Sequence, residues 1–227
     1  MEPRSVDPID DHRFVGYRRK LIEDIRARGI DDLETLQYFD MVPRHVFLPE
    51  GVWPRAYEDA PIPIGFGQTA SQPSLQAYYL SLLKPTATEK VLEVGTGSGF
   101  LTALLALCSD RVYSVERIRE LSSRARKALD VMSVQNVALL VGDGTIGWRK
   151  YQPFDVIVVS AGGPSIPGAL VDQLADGGRM LIPVGSRDGQ ELVHVQKTGF
   201  LVTEDVVKDT VTFVPLLGQF AWKSEAG

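Results

Sequence analysis

The chain has 227 residues, enough to bury a full core, and its make-up of 44% hydrophobic and 23% charged residues is that of an ordinary globular domain. A formal charge of −5 argues against a basic nucleic-acid-binding face, no N-terminal apolar segment resembles a signal peptide, and no run approaches membrane-span length. The single cysteine, Cys108, excludes an internal disulfide and a cysteine metal cluster; it sits in an apolar run and reads as a small core residue. His12, His45 and His194 have no metal-ligand spacing, so no metal is expected. These features read as a cytoplasmic, reduced, soluble protein with neither nucleic acid nor membrane as partner; a monomer is expected, although composition does not set the oligomeric state.

In chain order, the first ten residues carry Pro3 and Pro8 among charges and read as a frayed terminus. Phe14, Tyr17, Leu21, Ile22 and Ile25 then recur at helical spacing over Arg13 to Arg28, and Gly29 supplies a stop. Asp31 with Glu34 forms a capping-box pattern for a second helix bearing Leu33, Leu36, Phe39 and Met41. From Val42 to Pro73 the chain is rich in proline, glycine and aromatics. A connection of that length inside a compact domain is usually functional. A third helix opens at Pro73, with Leu75, Tyr78, Tyr79, Leu82 and Leu83 as its apolar stripe.

After Pro85 an α/β alternation begins. Strands are expected at Lys90–Val94, Arg111–Glu116, Val137–Val141, Phe154–Ser160 and Arg179–Val184, with helices at Phe100–Cys108, Ile118–Met132 and Ser165–Leu174. The continuous apolar run DVIVVS suits a sheet covered on both faces. Past Gly185 come ELVHVQK, FLVTEDVV and VTFVPL, strands without long helices between them. The expectation is a doubly wound, mostly parallel Rossmann-like α/β sheet with antiparallel C-terminal strands. Residues 1–84 form a helical extension and active-site loop, and residues 85–227 the main domain.

The segment VLEVGTGSGF, Val91 to Phe100, carries most of the chemistry. Strand, glycine turn and helix form the corner of a βαβ unit where backbone N–H groups approach a nucleotide-like ligand. The third glycine of G-T-G-S-G falls two residues after the second, not three as in the dinucleotide fingerprint, which would place it at Phe100. Glu93 precedes the turn and suits the ammonium of a methionine moiety, a group that NAD lacks. Glu116 ends the next strand, 21 residues after Gly95, where a carboxylate accepts ribose hydroxyls or is merely solvated. Asp143 in VGDGTIG caps an adenine amino group or forms a local Asx turn. Together these favour S-adenosyl-L-methionine as cofactor.

Methyl transfer from a sulfonium to an anionic acceptor needs alignment and little acid–base help. No histidine has a catalytic-looking context. The acceptor needs hydrogen-bond donors, and GFGQTASQP offers them in Gly65, Gly67, Gln68, Thr69 and Ser71 just ahead of a helix N-terminus. Ser71 has two readings from physics alone: a substrate contact, or an N-cap for the helix that opens at Pro73.

The stretches VPRHVFLPE, AYEDAPIPIGFGQTASQP, VLEVGTGSGF, VYSVERI, NVALLVGDGTIGW, PFDVIVVSAGGPSIPGALVDQL, GGRMLIPVG and VTFVPLLG resemble, in order, those of protein-L-isoaspartate O-methyltransferases. The resemblance runs from about Val42 to Gly218. It implies methylation of the α-carboxyl of isoaspartyl residues in damaged proteins and peptides, followed by collapse to a succinimide whose hydrolysis partly restores aspartate. It makes Ser71 the active-site serine and Gln68, Thr69 and Ala70 part of the cofactor and substrate loop. Glu93, Gly95, Thr96 and Gly97 become the methionine-side turn, Glu116 with Arg117 the ribose end, and Asp143 with Gly144 the adenine end. Val214 and Pro215, in the strand expected to pair with substrate backbone, would line the peptide site. The sequence departs from the family pattern at Ala70, where isoleucine is usual, at Phe100, where tyrosine is common, and at Gly162 and Gly163, where alanines are more frequent. The glycine pair is expected to loosen its loop. The alternative is a methyltransferase of the same fold acting on a small molecule or another protein carboxylate, against which IGFGQTASQP and VTFVPLLG stand.

Overall fold

The computed structural model describes residues 12–223. The frayed terminus expected over the first ten residues lies outside the described residues. Helix α1 (Val15–Ala27) buries Leu21 and Ile25 and closes at Gly29, whose φ of +86° suits a residue without Cβ. Helix α2 (Leu33–Met41) is capped one residue later than the sequence suggests. Asp32, not Asp31, accepts the Thr35 N–H at 3.0 Å.

The proline-rich connection is ordered around one cation. Two 3-10 turns, Arg44–Phe47 and Glu50–Arg55, lead into a hairpin of β1 (Ile62–Gly65) and β2 (Gln68–Ala70). Arg44 is fully buried; its Nη1 donates to the carbonyls of Ala56 (2.9 Å) and Glu58 (3.2 Å), and its Nη2 to that of Ser71 (2.9 Å). Burial lowers its pKa to about 10, so it stays charged at neutral pH. A guanidinium bonded to three carbonyls fixes the loop from within, and one of those carbonyls belongs to Ser71. Helix α3 (Pro73–Leu83) follows and ends at Lys84, in the left-handed region with φ +41°.

The main sheet is built from β3 (Lys90–Val94), β4 (Arg111–Glu116), β5 (Val137–Val141), β6 (Phe154–Val159), β7 (Leu174–Gly185), β8 (Gln190–Thr198) and β9 (Leu201–Val211). Helices α4 (Phe100–Cys108), α5 (Arg119–Val131) and α6 (Gly168–Val171) connect β3 to β4, β4 to β5 and β6 to β7, and two 3-10 turns, Gly144–Ile146 and Arg149–Tyr151, connect β5 to β6. The spatial order is β5-β4-β3-β6-β7-β8-β9. Strands β3 to β7 pair in parallel, while β8 and β9 add antiparallel. The chain leaves β3 toward β4 and β5, then returns to β6 on the other side of β3. That reversal opens a crevice at the strand C-termini, where α/β sheets bind ligands.

At the centre of the sheet both faces are buried, which explains the apolar runs of β3, β4 and β6, whereas β9 at the edge is exposed along most of its length. Val91, Val156 and Val158 face a core that holds Leu21, Phe39, Phe100 and Leu104, so the N-terminal helices share it with α4. Leu92, Val94, Ile157 and Val159 face the opposite core. There the cover is thin. The helix expected over Ser165–Leu174 reduces to the four residues of α6, because β7 begins at Leu174 rather than at Arg179. Gln173, buried between them, donates to the carbonyls of Ile146 and Ala169 and accepts the Trp148 N–H. Tyr113, Trp148 and Tyr151 complete the cover by ring packing.

The expected strand VTFVPL does not form. Strand β9 ends at Val211, and the continuation makes isolated bridges, Gly162 with Pro215 and Leu217 with Trp222. Pro215 has no N–H for a ladder, and the Phe213 N–H is taken by the side chain of Gln190 at 2.8 Å. Nor is the glycine pair loose. Gly162 donates to Val214 and accepts from Leu216, while Gly163 donates to Pro183 and accepts from Gly185. A Cβ on Gly162 would lie 2.7 Å from Cδ of the buried Gln190, so the glycine admits that side chain.

Candidate active site

The glycine turn bridges β3 and α4 beside the end of β4. Gly95, Gly97 and Gly99 all have positive φ, at +94°, +53° and +87°. A Cβ on Gly99 would stand 3.0 Å from Cβ of Ala125, so the third glycine lets α4 start close against α5. Glu116, 6% exposed, is fixed by the turn that it borders: Gly97 N–H donates to its Oε2 and Ile118 N–H to its Oε1, both at 2.9 Å. Each carboxylate oxygen keeps a second acceptor site, as binding a vicinal diol requires.

A first cavity runs from the β1–β2 hairpin across the glycine turn, past Glu116, to Gly144. A second, of about 580 Å3, lies between α3, Pro61 and residues 210–214. Thr69, Ser71, Ser160 and Val214 line both. Ser71 does not cap α3. Asp59 does, its Oδ1 accepting the Ser74 N–H at 2.8 Å, and among the described residues the Ser71 hydroxyl makes no hydrogen bond. Its main-chain carbonyl is held by Arg44.

Most residues singled out in the sequence meet at the first cavity: Gln68, Thr69, Ala70 and Ser71 from the hairpin side; Gly95, Thr96 and Gly97 from the turn; Glu116 at the end of β4 and Arg117 after it; Gly144 after β5, and Val214 and Pro215 after β9. Pro215 borders only this cavity, whereas Val214 borders both.

Glu93 and Asp143 are not part of the wall. Glu93 is fully buried behind the turn, its Oε2 accepting from Thr102 Oγ1 (2.6 Å) and Ser114 Oγ (2.7 Å) while Oε1 has no partner. Burial pushes its pKa up to about 7, against the two hydroxyl donors that pull it down. Asp143 serves the chain itself. Its Oδ1 accepts from the N–H and Oγ1 of Thr145, and its Oδ2 accepts the Gln219 N–H at 2.7 Å, tying down the C-terminal segment. Burial pushes that carboxyl up, but these donors outweigh it and leave the pKa lowered.

Sequence reasoning missed Gln76 and Ser160, which also line the first cavity. Ser160 was within reach, since it follows β6 directly and β6 adjoins β3 across the crevice. Gln76 lies within the apolar pattern of α3, and nothing in that pattern marks it. Among the described residues no group of three or more His, Cys, Asp or Glu could hold a metal ion, and no helix is long and apolar enough to cross a membrane.

The donor set fits S-adenosylmethionine: a diol acceptor at Glu116, a turn of glycines without Cβ atoms in the wall, and an unbonded hydroxyl where two cavities meet. Comparison with known proteins agrees. The profile of the family described as protein-L-isoaspartate(D-aspartate) O-methyltransferase matches residues 17–221. A protein-L-isoaspartate O-methyltransferase of Geobacter metallireducens is 46% identical over 211 residues, covering 92% of this chain and 97% of its own. One from Geotalea uraniireducens is 48% identical, covering 92% and 96%. A solved protein-L-isoaspartate O-methyltransferase superposes with a TM-score of 0.80 at 28% identity, covering 90% of this chain and 67% of its own. A Plasmodium falciparum structure of that description, in complex with S-adenosyl-L-homocysteine, gives 0.78 at 26% identity over 88% of this chain and 98% of its own. The chain belongs to the protein-L-isoaspartate(D-aspartate) O-methyltransferase family.

Proposed function

We propose that this chain transfers a methyl group from S-adenosylmethionine to the free α-carboxyl of L-isoaspartyl residues in damaged proteins and peptides, the step that starts repair through a succinimide. The observation that carries the reading is the meeting of two cavities at Thr69, Ser71, Ser160 and Val214. The bound cofactor supplies an electrophilic methyl on a sulfonium. The protein's task is then to hold an acceptor carboxylate in line with that methyl, and orientation alone is worth up to ~7–11 kcal/mol in favourable cases.

Ser71 is the residue best placed for this. Its hydroxyl is unbonded, its backbone is fixed through Arg44, and it stands at the junction. Donating to one carboxylate oxygen, it would aim the other at the methyl group. Glu116 would receive the ribose hydroxyls, and the turn from Gly95 to Gly97 would lie along the methionyl chain. Residues 210–214, the last two of β9 and the three that follow it, run along the second cavity and would offer main-chain groups to an extended peptide. Recognition through backbone tolerates varied flanking sequences. The proposal includes a cytoplasmic monomer acting without nucleic acid or membrane; the net charge of −5 supports the absence of a nucleic-acid partner.

The test is incubation with methyl-labelled cofactor and matched aspartyl and isoaspartyl peptides. Base-labile label on the isoaspartyl peptide alone is expected. Label on neither peptide, with cofactor binding measurable, sinks the acceptor assignment. Label on free small carboxylates instead points to the same fold with a different substrate.

A further inference from the structure

The second cavity is electrostatically one-sided. Among the described residues, the charged ones in its wall are Arg28, at the C-terminal end of α1, and Lys208, near the end of β9. No carboxylate among them lines it, although the chain as a whole carries −5. The two cations are not equivalent. Arg28 pairs with Asp59, the residue that caps α3, so its charge is already matched. Lys208 has no carboxylate partner among the described residues; its Nζ stands 6.0 Å from the centroid of the Tyr78 ring. Asp209, next along the strand, borders a different cavity and not this one.

Tyr78 helps to fix where that ammonium stands. Its hydroxyl donates to the Val207 carbonyl at 2.9 Å, so the ring ties α3 to β9 one residue before Lys208. The ring face attracts the cation but leaves its three N–H donors to an acceptor from outside. From Thr210 to Val214 the main chain follows the cavity to the junction, which Val214 and Ser71 share. A peptide laid along it with its acceptor at Ser71 has one flank directed toward Lys208. We propose that Lys208 is a specificity-determining residue that receives the carboxylate of an acidic residue flanking the isoaspartyl residue, so that acidic stretches of damaged proteins are the preferred substrates. The inference rests on reading the second cavity as the peptide site. From Lys208 to Val214 an extended chain spans at most about 20 Å, so the acidic residue lies within about six positions of the acceptor. Such a pair forms at the exposed rim, where its contribution is modest; it selects among isoaspartyl sites and is not needed for methyl transfer.

The test compares isoaspartyl peptides of one length, each with a single Glu walked through both flanks, with the same peptides carrying Gln, at low and high salt. For wild type, kcat/KM at the position that meets Lys208 should be about threefold higher with Glu than with Gln, through KM, and the ratio should fall toward unity in high salt. Lys208→Gln should bring the low-salt ratio to unity. Lys208→Glu should reverse it and favour Lys over Gln at the same position. Taking the ratio within each variant cancels any general loss of activity, which is all that a merely structural role would produce. A ratio of unity at every position in wild type overturns the proposal, as does a preference that survives in Lys208→Gln. Absence of methylation on every isoaspartyl peptide refutes the proposed function itself, and it differs from both of those results, which require measurable turnover.

Discussion

Asp59 caps α3 by accepting the Ser74 N–H at 2.8 Å, and this contact releases Ser71 from the role that its position would otherwise give it. The second oxygen of Asp59 accepts from Gln72 Nε2 at 3.0 Å and pairs with Arg28. The N-terminus of α3 is thus satisfied from the preceding loop. Ser71, two residues before the helix, keeps an unbonded hydroxyl between the cavities.

The two residues should therefore separate in mutagenesis. Ser71→Ala is expected to change stability by no more than about 0.5 kcal/mol, as for a side chain without internal partners, while lowering turnover by roughly 100-fold. Asp59→Ala should cost about 1–2 kcal/mol of stability through the lost cap. Urea unfolding beside steady-state kinetics reads both. A loss of stability in Ser71→Ala as large as in Asp59→Ala would return the serine to a capping role.

Glu116 is braced by two N–H groups that point at its separate oxygens. Glu116→Gln cannot replace it, because the new amide would direct its own N–H groups at the N–H of Gly97 or of Ile118. We expect Glu116→Gln and Glu116→Ala to weaken cofactor binding alike, by roughly 100-fold, since hydrogen bonds to a charged group are worth about 1.5–3 kcal/mol each. The KM for peptide at saturating cofactor should stay near wild type. Unchanged cofactor affinity in both variants would remove Glu116 from the ribose site.

The parallel sheet was legible because its central strands are buried on both sides, and four elements, Lys90–Val94, Phe100–Cys108, Arg111–Glu116 and Val137–Val141, have the bounds that the sequence suggests. Apolar runs between glycine and proline punctuation leave little freedom there. The structure departs from the sequence reading where long-range contacts decide. Glu93 faces inward because alternation along β3 turns it toward Thr102 and Ser114, partners that local sequence does not name. Asp143 is claimed by Gln219, 76 residues away. The strand expected at VTFVPL yields to Gln190, whose buried amide takes the Phe213 N–H. Gln76 was invisible because a glutamine in a helix is ordinarily on a solvated face, whereas here it is buried.

Glu93 gives the fold a pH dependence of predictable sign. Its pKa is raised from 4.5 to about 7, so the folded state holds a proton that the unfolded chain has released over that interval. Stability from this residue is complete below about pH 4.5, falls as pH rises, and is at its lowest above about pH 7. Glu93→Gln keeps an acceptor for Thr102 and Ser114 and removes the buried charge. Its stability relative to wild type should grow between pH 4.5 and 7 and then level off, reaching a few kcal/mol by order of magnitude. Denaturant unfolding at several pH values checks this. A stability difference independent of pH would mean that Glu93 titrates normally.

Gly144 offers a steric test of the first cavity's far end. Its φ is not in the left-handed region, so alanine is allowed by its backbone, yet a Cβ there would lie 2.4 Å from Cγ1 of Val94. Val94 itself lines the cavity, so relief must come by pushing its side chain or the Gly144 backbone. Gly144→Ala should cost about 1–3 kcal/mol, as overpacking does, and weaken cofactor binding. Adding Val94→Ala should restore part of both losses, because the pair collides at one point and its effects will not add. If the double variant instead shows the sum of the two single losses, Gly144 acts through something other than contact with Val94.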